Sequence, residues 1–196
     1  MLNLKCGCDE VGRGSIIAEI YASAVILDPS CEIEGLRDSK KLTARKRKLL
    51  VEEIKKSAIA WSIATVSLTE IEELNVLHAS LLAMKRAVES LKVKPAIVFV
   101  DGTHIPSLDI PCKAIIKGDD KIKSISAASI LAKVARDEDL LKYHELYPQY
   151  HFDKNKGYFT KEHQDAVEKY GLSPVHRKFY PALQKYLNPE KQISLF

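Results

Sequence analysis

The chain is poor in the features that mark secreted or membrane proteins. It has four cysteines in 196 residues, and only Cys6 and Cys8 are close in sequence. These two lie in the apolar stretch LKCGC, where alternate residues share one face of a strand. No second Cys or His pair answers them at a loop spacing, so neither a zinc site nor a disulfide framework is indicated; buried thiols in a reducing compartment are expected. No apolar run approaches the ~20 residues of a membrane-spanning helix, and the opening MLNLKCGCDE lacks a basic segment followed by an apolar one. A cytoplasmic protein with no membrane contact is expected. Charge of one sign is scarce too: 30 Lys and Arg against 26 Asp and Glu leave a net +4, too small an excess to identify a nucleic-acid binder on its own. Internal repeats are absent.

What is present is a core. Hydrophobic residues make up 46% of the chain, enough for one globular domain over 1–187, with 188–196 expected as a loose tail. LKCGC, SIIAEIYASAVIL and AIAWSIATVS are rich in β-branched and apolar residues and read as three early strands. Leu42 to Lys56 and Asn75 to Leu91 carry apolar residues at helical spacing. PAIVFVDG and CKAII read as short strands, SISAASILAKVARDEDLLKYH as a helix packed closely on a sheet, and Thr160 to Tyr170 as a helix capped by Thr160 and closed by Gly171. The mixture indicates an α/β domain with a mixed sheet.

Acids stand where these strands end. Asp9 closes the first strand with Glu10 beside it, Asp101 closes AIVFV, and Asp119 follows CKAII. A few Asp and Glu at strand ends, rather than a Cys/His cluster, are what Mg2+ or Mn2+ requires, and two such cations roughly 4 Å apart can drive phosphodiester hydrolysis. Neighbouring strand residues point to opposite faces, so Asp9 and Glu10 converge only where the chain turns, which Gly12 and Gly14 would allow. Each acid taken singly is equally well read as a turn residue. Spacing alone leaves both readings open.

In order along the chain, DEVGRGS, LRDSKKLT, FVDG, KGDDKIKSISAASILAKVARD, NKGYFTKEH and SPVHRKF resemble the blocks of ribonuclease HII, from about Cys8 to Phe179. The GRG form favours this type over ribonuclease HIII. The resemblance implies a ribonuclease H-like fold, a central mixed sheet flanked by helices with a small helical C-terminal part. It implies an endoribonuclease that cleaves the RNA strand of RNA/DNA hybrids and nicks 5′ of ribonucleotides embedded in duplex DNA, leaving 5′-phosphomonoesters, in primer removal and ribonucleotide repair. By similarity Asp9, Glu10, Asp101 and Asp119 are its metal-binding catalytic acids, for Mg2+ or Mn2+ in a two-metal site, and Asp120 is passed over.

Gly12, Arg13 and Gly14 match the loop that contacts the ribose 2′-hydroxyl, and Tyr158 the tyrosine that stacks on the sugar beside the cut. Ser39 and Lys40 fall in the segment that lies along the substrate backbone, and Lys117 is a further phosphate candidate. Arg136 is expected to organise the acidic edge by ion pairing, with His176 and Arg177 as supporting residues. Two segments depart from the family pattern: SIIAEIYASAV, with Glu19, replaces a Pro- and Gly-containing stretch, and HRKFY lacks the usual serine before its phenylalanine. Gln192, Ile193, Leu195 and Phe196 resemble the peptide by which bacterial repair proteins dock on the sliding clamp; the alternative is a terminus folded onto its own domain. The chain is expected to act as a monomer. A phosphate-binding loop is disfavoured, since EVGRGS lacks the Lys and Ser/Thr that open a helix in such loops. A catalytically dead scaffold that binds hybrid and clamp is disfavoured by the four retained acids.

Overall fold

A computed structural model describes residues 4–36 and 42–187 of the protein. Ser39, Lys40 and the tail from 192 to 196 lie outside the described residues. Strands β1 (Lys5–Val11) and β2 (Ile20–Leu27) pair antiparallel, Cys6 opposite Ile26 and Val11 opposite Tyr21. Helix α1 (Ala44–Ser57) starts where the Thr43 hydroxyl accepts the Lys46 N–H at 3.3 Å, and β3 (Ala58–Val66) follows it, antiparallel to β2. Helix α2 (Leu68–Glu89) opens on a capping box of Ser67 and Glu70. Strands β4 (Ile97–Asp101) and β5 (Cys112–Ile115) then add in parallel, giving the order β3-β2-β1-β4-β5. The remainder is helical: α3 (Gly118–Lys121), α4 (Lys123–Leu146), α5 (Phe152–Asn155) and α6 (Lys161–Tyr170), with 3-10 turns at Pro148–Tyr150 and Pro181–Tyr186.

The strand period sorts the side chains between two layers. Cys6 and Cys8 join Val98, Val100 and the α2 residues Ala79, Ala83, Met84 and Ala87 on one face. They are free, buried thiols, and burial pushes Cys6 up to about 12. On the other face Val25 meets Leu50, Val51 and Ile54 of α1 and Ala127, Ala128 and Leu131 of α4. Small residues along α4 let it lie close to the sheet. Gly7 faces it with no side chain at all, and a Cβ there would stand 2.2 Å from the backbone of Ser124 and Ile125. A third cluster joins Ile16, Ile17 and Ala18 to Leu140, Tyr150, Phe152 and Val167.

That third cluster explains one departure from the sequence reading. SIIAEIYASAVIL is not one strand: β2 starts only at Ile20, and the residues before it pack into the C-terminal helices, with Ala18 at φ +61° and Ile17 bridging His176. The helix expected from Asn75 starts earlier, at Leu68, and breaks at Asn75 (φ 66°, ψ 165°), whose side chain accepts the N–H groups of Leu77 and His78. Asn75 thus recaps the second segment, which is why the periodicity reads from there. Thr160 and Gly171 bound α6 as expected.

Candidate active site

Asp9, Glu10, Asp101 and Asp119 line one open cavity of about 320 Å3. Register accounts for the first two strands' share. β1 and β4 pair only as far as Cys8 opposite Val100, so the next residues, Asp9 and Asp101, stand side by side at the end of the ladder. Contrary to the sequence reading, β1 does not end at Asp9: both acids lie within a strand that still pairs with β2 to Val11, and the turn comes later, at Gly12 with φ +102°. It is the end of the β4 pairing, not a bend of β1, that leaves room beside them. Asp119 likewise belongs to no strand end. It sits in the single turn of α3, brought round by Lys117 in a left-handed conformation (φ 54°, ψ 48°). Asp119 is buried there and Asp120 is exposed, which separates the two acids of KGDD.

Each acid is held by a donor of the protein. Asp9 accepts the Glu10 N–H at 2.8 Å and a hydrogen bond from Ser129 of α4. Arg13 reaches Glu10 at 3.3 Å, the Gly118 N–H donates to Asp101 at 2.6 Å, and the Asp120 N–H donates to Asp119 at 3.1 Å. Burial, and then the charges of Glu10 and Asp101, push the Asp9 carboxyl well above the usual carboxylate range. Burial also raises Glu10, against the pull of Arg13. The cavity is therefore a concentrated, partly desolvated negative site. Among the described residues no three His, Cys, Asp or Glu side chains are gathered into a finished coordination shell. Four acids sharing a cavity while each is tied to its own donor is a looser arrangement than that.

Two polar residues of this cavity, Ser129 and Lys133, were not singled out from sequence, and Arg47 of the basic α1 also lines it. Ser129 and Lys133 are one α4 turn apart, and Asp137 one turn further binds both Lys133 (3.5 Å) and Arg47 (3.9 Å). The four-residue spacing of Ser129, Lys133 and Asp137 was legible, but which face of α4 meets the acids was not. A larger groove of about 440 Å3 between α1 and α4 holds Leu49, Val51 and Leu131 but none of the clustered acids.

Beside the acids the GRG loop meets the Tyr158 loop. Tyr158 is 55% exposed, and its ring edge lies over Gly14, where a Cβ would stand 3.6 Å away. Arg177 is fully buried and donates to the carbonyls of Ser15 (2.7 Å), Ala18 (2.8 Å), Glu19 (3.2 Å) and Arg13 (3.4 Å), which bolts the loop in place. Tyr180, from the atypical HRKFY segment, adds a bond to the Arg13 carbonyl at 2.7 Å. The other atypical residue, Glu19, accepts the Tyr143 hydroxyl at 3.0 Å, away from the acids.

Arg136 does not do what the sequence suggested. Among the described residues it makes no ion pair with an acid; it lies buried between two glycines and donates to the Lys156 carbonyl at 3.2 Å. A Cβ on Gly12 would come within 2.8 Å of its Nε, and one on Gly157 within 3.2 Å of its Nη2. Both glycines have positive φ, +102° and +80°. The guanidinium is a wedge between the GRG and Tyr158 loops.

A five-stranded mixed sheet in this order, with helices on both faces, is the fold of the ribonuclease H-like class of proteins. The sequence profile of Ribonuclease HII matches residues 6–182. Ribonuclease HII of Desulforamulus reducens is 60% identical over 195 residues, covering 98% of each chain. That of Natranaerobius thermophilus is 53% identical, covering 97% of this chain and 98% of the other. Among solved structures, ribonuclease H2 from Pyrococcus horikoshii OT3 superposes with a TM-score of 0.81 at 25% identity, over 93% of this chain and 96% of that one. RNase HII from Archaeoglobus fulgidus, solved in a complex with PCNA, gives 0.71 at 24% identity, over 90% and 95%. The chain belongs to the ribonuclease HII family, and as such is a metal-dependent hydrolase with ribonuclease H activity on RNA/DNA hybrids.

Proposed function

We propose that this ribonuclease nicks duplex DNA on the 5′ side of an embedded ribonucleotide as well as cutting longer hybrids, with Asp9, Glu10, Asp101 and Asp119 holding Mg2+ or Mn2+. The observation that carries the reading is the opening of all four acids into one cavity beside a glycine loop faced by a tyrosine. The donors fit the metals: four carboxylates and no thiol or imidazole suit a hard cation, and a buried carboxyl crowded by two others favours one. Bound there, a pair of such cations would lower the pKa of water and stabilise charge on the attacking and leaving oxygens.

The chain's own groups do the rest. Ser129 orients the Asp9 carboxylate, and the Gly118 N–H fixes that of Asp101. Gly12 and Gly14 let backbone approach a ribose where a side chain would clash, so a 2′-hydroxyl can be read by the main chain of 12–14. Tyr158, exposed above Gly14, offers a ring to stack on the neighbouring sugar. Lys117, Ser39 and Lys40 are assigned to phosphates of the backbone, a sequence-independent role. The glycines of DEVGRGS do not form a nucleotide-binding loop, because the chain continues as extended segment and strand rather than helix.

A duplex carrying one ribonucleotide tests the reading. With magnesium it is expected to be nicked 5′ of that residue while all-DNA duplex stays intact; a rate unaffected by replacing the ribose with deoxyribose would sink it. The tail residues Gln192, Ile193, Leu195 and Phe196 are assigned to a bacterial sliding clamp, two apolar anchors and a glutamine being the chemistry of such a peptide. Deleting 192–196 is expected to abolish clamp binding by a monomeric, cytoplasmic enzyme and leave nicking intact; unchanged clamp affinity would refute it. Among the described residues no helix is long and apolar enough to cross a membrane.

A further inference from the structure

Two buried histidines with no place in the chemistry above link the walls of the ribose pocket. His176 receives both the N–H (2.9 Å) and the Oγ (2.7 Å) of Ser173 at its Nδ1. A backbone N–H only donates, so Nδ1 carries a lone pair and the His176 proton resides on Nε2. That Nε2 lies 3.0 Å from Nε2 of His163, which must then accept. The His163 proton is thereby placed on Nδ1, which lies 3.0 Å from the Tyr158 carbonyl. Every ring nitrogen is satisfied, and only one pair of tautomers satisfies them. A second proton on either ring would set two N–H groups face to face or point one at the Ser173 N–H.

The surroundings enforce this neutral state. His163 and His176 are 0% and 3% exposed, and Tyr150 and Phe152 pack edgewise on both rings. Burial pushes both imidazoles down, and with the His163 neighbour it takes His176 to about 3. Buried imidazoles without partners would cost stability, whereas a fully satisfied pair is rigid. One end of the pair is tied to the GRG side: the segment of His176 bridges Ile17, and the Ala18 N–H donates to the Val175 carbonyl at 2.9 Å. The other end grips Tyr158.

We propose that His163 and His176 form a neutral imidazole relay that sets the distance between the GRG loop and Tyr158, and so act as positioning residues for ribose recognition. The purpose assigned to them rests on the ribonuclease reading above; their protonation pattern does not. Packing alone could hold the Tyr158 ring near Gly14, but a directional bond to its main-chain carbonyl also fixes the height from which the ring projects. A displacement of ~1 Å at such a contact can cost about a hundredfold in rate.

Two measurements decide. In nitrogen-15 NMR spectra of the unmodified chain, His176 is expected as the Nε2–H tautomer and His163 as Nδ1–H at neutral pH; any other pairing overturns the relay. On a duplex with one ribonucleotide, His163→Phe keeps a ring in the aromatic cage but loses the donor. It is expected to lower kcat ~10- to 100-fold with KM within about threefold, and His163→Asn, which keeps a donor near Nδ1, to recover most of that. In a Tyr158→Ala background His163→Phe is expected to have no further effect, because both act through one contact. Losses that multiply in the double variant would mark a merely structural histidine and refute the positioning role. Should His163→Phe fail to fold, His163→Leu, which also lacks the donor, takes its place in the same double-variant test with Tyr158→Ala. Absence of nicking by the unmodified chain would overturn the ribonuclease reading and leave the relay standing, since the tautomers are read without substrate.

Discussion

Asp101→Asn is expected to slow nicking at least about a thousandfold, equivalent to ~4 kcal/mol of transition-state stabilisation, while the fold and hybrid binding survive. The structure separates these outcomes. Asp101 accepts the Gly118 N–H at 2.6 Å, and the amide oxygen of an asparagine can accept the same bond, so the link from β4 to α3 and to Asp119 is retained. What is lost is a negative charge at the end of β4, and with it a ligand for a hard cation. Stability is expected to hold or rise slightly at neutral pH. The Asp101 charge is one of the causes that raise Asp9, and a carboxyl whose folded pKa is raised penalises the fold above its unfolded value, a penalty relieved as pH falls. Removing that charge relaxes the penalty. Single-turnover nicking, fluorescence anisotropy on the hybrid and a thermal melt give the three readouts. A rate within tenfold of the unmodified enzyme, or a loss of binding as large as the loss of rate, would show that Asp101 is not a metal ligand.

Gly7→Ala carries the largest expected effect on stability. The new methyl would meet the backbone of Ser124 and Ile125 at 2.2 Å, and no rotamer change can relieve a clash between two main chains. Helix α4 must move off the sheet or β1 must buckle. Overpacking of this kind costs ~3 kcal/mol or more, and for a chain of this size that lowers Tm by about 10 °C. Activity is expected to fall with it, because Gly7 and Asp9 face the same side of β1 and Ser129 of α4 hydrogen-bonds Asp9. A melt followed by circular dichroism checks the first expectation; a Tm within 2 °C of the parent would mean that α4 is not seated on Gly7 as described.

Much of this was legible in the chain. The periods of AIAWSIATVS, of PAIVFVDG and of the segment after Thr160 give β3, β4 and α6 nearly to the residue, since local patterning and caps act over a few residues. The ordered blocks also indicated ribonuclease HII, the family to which the chain belongs. Errors fell where a distant partner overrides the local pattern. Ser15 to Glu19 has a strand's composition, yet Arg177 collects its carbonyls and the C-terminal helices bury its isoleucines. Arg136 carries a charge beside an acidic site, yet it fills the space that Gly12 and Gly157 leave open.

The sequence by itself determined the fold class, the family and the four acids as candidates, because composition, periodicity and ordered motifs are properties of the chain alone. Only the tertiary structure decided that Asp9 and Asp101 stand together because the β1–β4 ladder ends at Cys8, that the single turn of α3 rather than a strand end carries Asp119, and that Ser129 completes the set. It alone paired His163 with His176 and fixed their protons. Those facts depend on strand register, on which face of α4 meets the sheet, and on a hydrogen bond between histidines thirteen residues apart, and chain spacing does not encode any of them.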